Sequence, residues 1–118
     1  MVGMNTVCHI EIMTRDLAKA QDFYSAVFPS WTFKSFGDEM VVFGVGENHV
    51  GGLMKSDAVA PGNSPSVWLQ VDEIEPVLIR ATQAGGAVAC DKISVPSVGW
   101  SAQFTDPEGT PIGIVQFG

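Results

Sequence analysis

Cysteine, histidine and basic side chains are all scarce in this 118-residue chain, and each shortage closes off a class of protein. Two cysteines, Cys8 and Cys90, cannot hold a disulfide-rich scaffold, so the expectation is a soluble cytosolic protein with reduced thiols. Six Lys and Arg against thirteen Asp and Glu give a formal charge of −7 and a pI near 4.5, which argues against nucleic acid and anionic membranes as partners. A catalytic divalent metal needs roughly three converging N or O ligands, and the only histidines are His9 and His49. No apolar run approaches the roughly 18 residues of a membrane span. The start, MVGMNTVCHIEIM, has no basic stretch followed by an apolar one, so no export signal is expected. GxSxG, GxGxxG and GxxxxGK[ST] motifs are missing, which leaves serine hydrolase, dinucleotide and P-loop readings without support.

What the chain does have is 46% hydrophobic content arranged in clear periods, the mark of one folded domain. Cys8, Ile10 and Ile12 alternate with His9, Glu11 and Met13, as in a strand. From Asp16 to Phe28 the period becomes helical, with Leu17, Ala20, Phe23, Tyr24, Val27 and Phe28 as the apolar positions, Thr14 or Asp16 as cap and Pro29 as terminator. Strand-like runs follow at Trp31–Phe36, Met40–Val45 and Val50–Lys55, separated by Gly37-Asp38-Glu39 and Gly46-Glu47-Asn48. After the small, polar stretch SDAVAPGNSPS the order repeats. A strand at Ser66–Val71 is followed by a helix opened by Asp72 and stopped by Gly85-Gly86, then by strands at Ala87–Val95, Gly99–Thr105 and Pro111–Phe117. Asp106-Pro107-Glu108-Gly109 marks the last turn. Asp16 and Asp72 stand 56 positions apart, an offset that also carries Met13 onto Leu69 and Phe23 onto Ile79. This points to an internal duplication, with modules 5–56 and 66–118 joined by a linker at 57–65.

His9-Ile-Glu-Ile-Met-Thr-Arg-Asp16-Leu, Phe23-Tyr24, Gly51-Gly52-Leu53, Val71-Asp72, Gly85-Gly86 and Asp106-Pro107-Glu108-Gly109 together span nearly the whole chain. In order and spacing they resemble the vicinal oxygen chelate superfamily, which includes glyoxalase I, bleomycin-resistance proteins and extradiol dioxygenases. The resemblance implies an α+β fold: two paired βαβββ modules in a curved mixed sheet, helices on the convex side and a ligand on the concave side. It also implies a homodimer. Metal-dependent members carry ligands on the first and last strands of each module, and only His9 matches such a position. Ser66, Gly113 and the Gly51-Gly52 pair occupy the others. The chain is therefore more similar to a metal-poor, glyoxalase-like branch, through Glu11, Thr14, Asp16, Gly52-Leu53-Met54 and Gly113-Ile-Val-Gln116. No cofactor is expected on this reading.

With Cys8, Ile10 and Ile12 turned to the helices, His9, Glu11 and Met13 face the ligand side. The same alternation sends Val67, Leu69 and Val71 to the helix side and Trp68 and Gln70 to the ligand side. Met54, Trp100 and Phe104 complete the expected aromatic and thioether lining. The ligand-binding candidates are thus His9, Glu11, Met54, Trp68, Gln70 and Trp100. Each has a structural alternative: His9 as a hydrogen-bonded structural histidine, Trp68 as core filler, Cys8 as an inert helix-facing thiol, and His49, just after a turn, as a solvated side chain. Glu11, flanked by isoleucines, requires a partner or an altered pKa and is the candidate catalytic base. The leading expectation is a protein that binds an apolar or aromatic small molecule without a catalytic metal. A metal-dependent lyase or dioxygenase, and a metal-free enzyme using Glu11 as base, stand as alternatives.

Overall fold

Asp16 starts the first helix as its spacing predicts: its backbone is still extended, as at an N-cap, and its carboxylate accepts the Lys19 N–H at 3.0 Å. In the computed structural model, which describes residues 3–59 and 64–118, the chain forms two units. Residues 60–63 of the expected linker lie outside the described residues.

The unit Cys8–Ser66 contains most of β1 (Thr6–Thr14), then α1 (Leu17–Val27), β2 (Trp31–Ser35), β3 (Met40–Val45) and β4 (Asn48–Lys55). Its strands lie in the order β2-β3-β4-β1, with β1 and β4 parallel and the other neighbours antiparallel. One face carries the buried Val41, Phe43 and Leu53, covered by Ile10, Ile12, Phe33 and the α1 residues Leu17, Ala20 and Tyr24. Trp31 stacks on Phe43 at 4.4 Å between centroids and on Phe28 at 4.5 Å. Such pairs contribute about 0.5–1.5 kcal/mol each beyond the area they bury. Phe23 departs from the expected inward helical stripe and is 61% exposed. Leu17, Ala20 and Tyr24 form the inner stripe, and Phe23 lies a residue's rotation away, edge-on to Tyr24.

The second unit, Val67–Gly118 with the N-terminal segment to Val7, holds the remaining elements. These are β5 (Ser66–Gln70), α2 (Ile74–Gln83), β6 (Ala87–Val95), β7 (Gly99–Thr105) and β8 (Pro111–Phe117). The strand order is β5-β8-β7-β6, again with one parallel pair, β5 and β8. Val71, Ile74, Leu78, Ala102 and Ile114 form its core. Asp72 does not cap α2. The cap position is Glu73, whose side chain makes no capping bond, and the Ile74 N–H is instead accepted at 2.9 Å by Gln116 Oε1 from β8. Gly85 ends α2 with φ at +103°, and the Gly86 N–H returns to the Ala81 carbonyl, as the glycine pair predicts.

The architecture is therefore α+β, with the β-α-β-β-β order occurring twice and a mixed four-stranded arrangement in each unit. Among the described residues no helix is long and apolar enough to cross a membrane.

Candidate functional site

The face of the Cys8–Ser66 unit opposite α1 is set by strand parity. Ile10, Ile12, Leu53, Val41 and Phe43 turn toward the helix, so their alternates turn away from it. Those alternates are His9, Glu11 and Met13 on β1, Gly52 and Met54 on β4, and Met40 and Val42 on β3. The parallel register sets Glu11 beside Gly52 and Met13 beside Met54, and the antiparallel one sets Met40 beside Met54. Three of the chain's five methionines therefore share this face. At its centre Gly52 carries no side chain, and Met40 and His9 close over it: a Cβ there would lie 3.1 Å from Met40 Sδ and 3.3 Å from His9 Cε1.

Onto this face comes a residue that the sequence reading set aside as solvated. A two-residue turn, Gly46-Glu47, lets β4 begin at Asn48, two residues earlier than expected, so His49 belongs to a strand. The register then shifts between Phe43 and Gly44, pairing Gly51 with Phe43 and His49 with Gly44. Val50 is the extra residue of this bulge. His49 Nε2 lies 2.7 Å from His9 Nδ1, with the ring planes 11° apart and the centroids 5.0 Å apart. That centroid separation is the N···N distance plus the two ring radii, so the imidazoles meet edge to edge in one plane through a shared hydrogen bond. On the far side of His9, Nε2 lies 3.5 Å from Glu11 Oε1. The result is a line of three groups, Glu11, His9 and His49, with His9 17% and Glu11 14% exposed and His49 open to solvent. Glu11 has thus acquired the partner its apolar flanks required. Partial desolvation of the ring, and secondarily repulsion from His9 when both rings are protonated, holds the His49 pKa below the ordinary histidine value.

One nitrogen of each imidazole is directed at the other, and among the described residues no group of three or more His, Cys, Asp or Glu is arranged to hold an ion.

The structure brings His9, Glu11, Met13 and Met54 onto one face and adds His49 and Met40. Trp68 and Gln70 belong to the second unit, on the side of β5 away from α2, with the Trp68 indole lying directly over Gly113. Trp100 is a correction. It shares parity with the buried Ala102, so it packs with Phe104 against the α2 core and carries Lys92 Nζ over its ring at 4.9 Å. It therefore lies on the opposite side of the strands from Trp68 and Gln70. Cys8 is partly buried, and burial raises its thiol pKa, consistent with an inert packing role. An open groove of 460 Å³ between α2 and β6, lined by Leu78, Ile79, Thr82 and Val88, contains none of the candidate residues. It has apolar walls and carboxylates at Glu75 and Asp91, but no linked acid–base groups.

Duplicated βαβββ units, each with its first and last strands parallel, define the vicinal oxygen chelate fold. Solved structures of that fold superimpose along nearly all of the chain. A glyoxalase/bleomycin resistance protein/dioxygenase superfamily member from Vibrio splendidus matches with TM-score 0.66 and 21% identity, over 94% of this chain and 99% of its own. Methylmalonyl-CoA epimerase from Streptomyces coelicolor gives 0.70 and 14%, over 98% and 99%. An extradiol ring-cleaving dioxygenase from B. fuscum gives 0.70 and 17%, over 98% of this chain and 33% of that one. In sequence, proteins of Mycobacterium bovis and Mycobacterium tuberculosis that carry the provisional name glyoxylase CFP32 are 30% identical over 110 residues, 90% of this chain. The chain spans 42% of the length of those relatives. No family model matches. The chain thus has the vicinal oxygen chelate fold and is similar in sequence to proteins named as glyoxylases.

Proposed function

We propose that this protein binds an apolar or aromatic small molecule on the face of the Cys8–Ser66 unit opposite α1, without a catalytic metal. The observation that carries the reading is the composition of that face: Met13, Met40 and Met54 beside a polar line of Glu11, His9 and His49, around the side-chain-free Gly52. Thioethers are polarizable and adapt to flat rings, while a few fixed polar groups orient what they hold. The names of the relatives, which include a glyoxylase, an epimerase and a ring-cleaving dioxygenase, agree with a small-molecule ligand.

The test uses protein labelled with ¹³C at its methionine methyls and titrated with indole, 2-naphthol and benzoate. At least one compound is expected to shift Met13, Met40 and Met54 while leaving the exposed Met4 in place, with affinity falling about tenfold in His9→Ala, the loss of one hydrogen-bonding anchor. Flat titrations, or shifts equal at Met4, would contradict the reading.

A further inference from the structure

Three consecutive ionisable groups in hydrogen-bonding or ion-pair reach do more than orient a ligand, because they fix where a proton resides. The Glu11 carboxylate, 3.5 Å from His9 Nε2, favours a proton on that nitrogen. In neutral His9 this leaves Nδ1 as an acceptor, so the 2.7 Å contact is a hydrogen bond donated by His49 Nε2–H. The lone pair of His49 is then on Nδ1, which has no hydrogen-bond partner among the described residues and belongs to an exposed side chain. The chain therefore ends in an accessible imidazole base of fixed tautomer, backed by a carboxylate through a second imidazole. No other titratable side chain stands with it on β1 or β3. The remaining charged residue on this face is Lys34, on β2, at the position paired with Val42.

We propose that His49 is a catalytic base for proton abstraction from an acidic C–H of the bound molecule, with His9 and Glu11 as positioning residues. This rests on the binding reading above. His49 Nδ1 takes the proton, and the electron pair of the broken C–H bond remains with the ligand, to be delocalised into an adjoining carbonyl or expelled with a leaving group. The imidazolium that forms is stabilised by Glu11, either across His9 or by passage of the Nε2 proton to His9 as His9 passes its own to Glu11. Return of the proton to the ligand or to water restores the starting state. The substrate class is an apolar or aromatic carbon acid, and no metal or redox partner is required.

5-Nitrobenzisoxazole is a suitable probe, since it is aromatic, apolar and opened by removal of one C–H proton. The C–H pair forms the nitrile, the N–O bond breaks, and a coloured phenolate leaves. The protein is expected to open it with saturation, with the rate falling on the acid side only below the ordinary histidine range. His49→Gln should lose about 100-fold in kcat, the usual contribution of a positioned base. Glu11→Gln should lower kcat at little change in KM and move the acid limb, an effect that a merely structural carboxylate would not produce. Binding is read in parallel from the methionine methyls. Shifted methyls with a rate unchanged in His49→Gln would overturn the proposal alone, whereas unshifted methyls would overturn the binding reading and the proposal with it.

Discussion

Alanine at Gly51 is expected to unfold the protein, whereas alanine at its neighbour Gly52 should leave it folded and alter its site. The two glycines are adjacent on β4 but face opposite ways. A Cβ at Gly51 would collide with the Ile10 carbonyl oxygen of the parallel partner β1, while also standing 2.9 Å from Ile10 Cγ1 and 3.0 Å from the Phe43 ring. A backbone carbonyl cannot swing aside without breaking the β1–β4 ladder, and overpacking of this kind costs about 1–3 kcal/mol even where side chains give way. Since domains of this size have about 5–15 kcal/mol in total, a broken ladder consumes a large share of it. At Gly52 the new methyl would meet the flexible Met40 thioether and the edge of His9, both of which can give by a few tenths of an ångström. Thermal denaturation is expected to show a collapse of Tm for Gly51→Ala and a near-native Tm for Gly52→Ala, the latter with weakened binding of any aromatic ligand. Equal Tm values would mean that the faces of β4 are assigned wrongly.

Phe43→Ala is expected to cost about 3–5 kcal/mol, the range for removing a buried aromatic ring. Phe43 is 2% exposed, stacks on Trp31 and packs near Phe33. It also flanks the bulge whose register places His49 opposite Gly44, so the same core that stabilises the unit positions the end of the proton chain. In a denaturant titration the midpoint should fall steeply. At denaturant levels where wild type is still folded, the coupled behaviour of His9 and His49 should already be lost.

The repeated order of elements was legible because alternation, helical spacing and turn residues coincide in this chain. Met40–Val45, Ala87–Val95, Gly99–Thr105 and Pro111–Phe117 are strands over the residues their pattern marks. The placement of His9, Glu11 and Met13 on one face followed from the same parity, and the register of β1 with β4 sets Met54 beside Met13. His49 was not legible. Gly46-Glu47-Asn48 has the composition of a three-residue turn, and nothing in the pattern distinguishes it from a two-residue turn followed by a bulge, although only the latter sets His49 beside His9. Trp100 was misassigned for a related reason: an aromatic residue in a strand fits either face, and the small Ala102 that fixes its parity carries little hydrophobic signal. The α2 cap also escaped, because Gln116 arrives from 42 residues away in sequence.

The central claim is that His9 and His49 form one hydrogen-bonded unit backed by Glu11. The direct measurement is a pH titration of the imidazole ¹⁵N resonances in wild type and in His9→Ala. In wild type His49 is expected to titrate below the ordinary histidine value and to report neutral His49 as the Nε2–H tautomer. Because its folded pKa is lowered, the unfolded chain binds the proton first, so the associated stability is full above the unfolded histidine pKa and declines as pH falls through the folded one. In His9→Ala, the His49 pKa should rise toward the ordinary value and the tautomer preference should relax. A His49 that titrates at the ordinary value in wild type, and is unmoved by the loss of His9, would contradict the account.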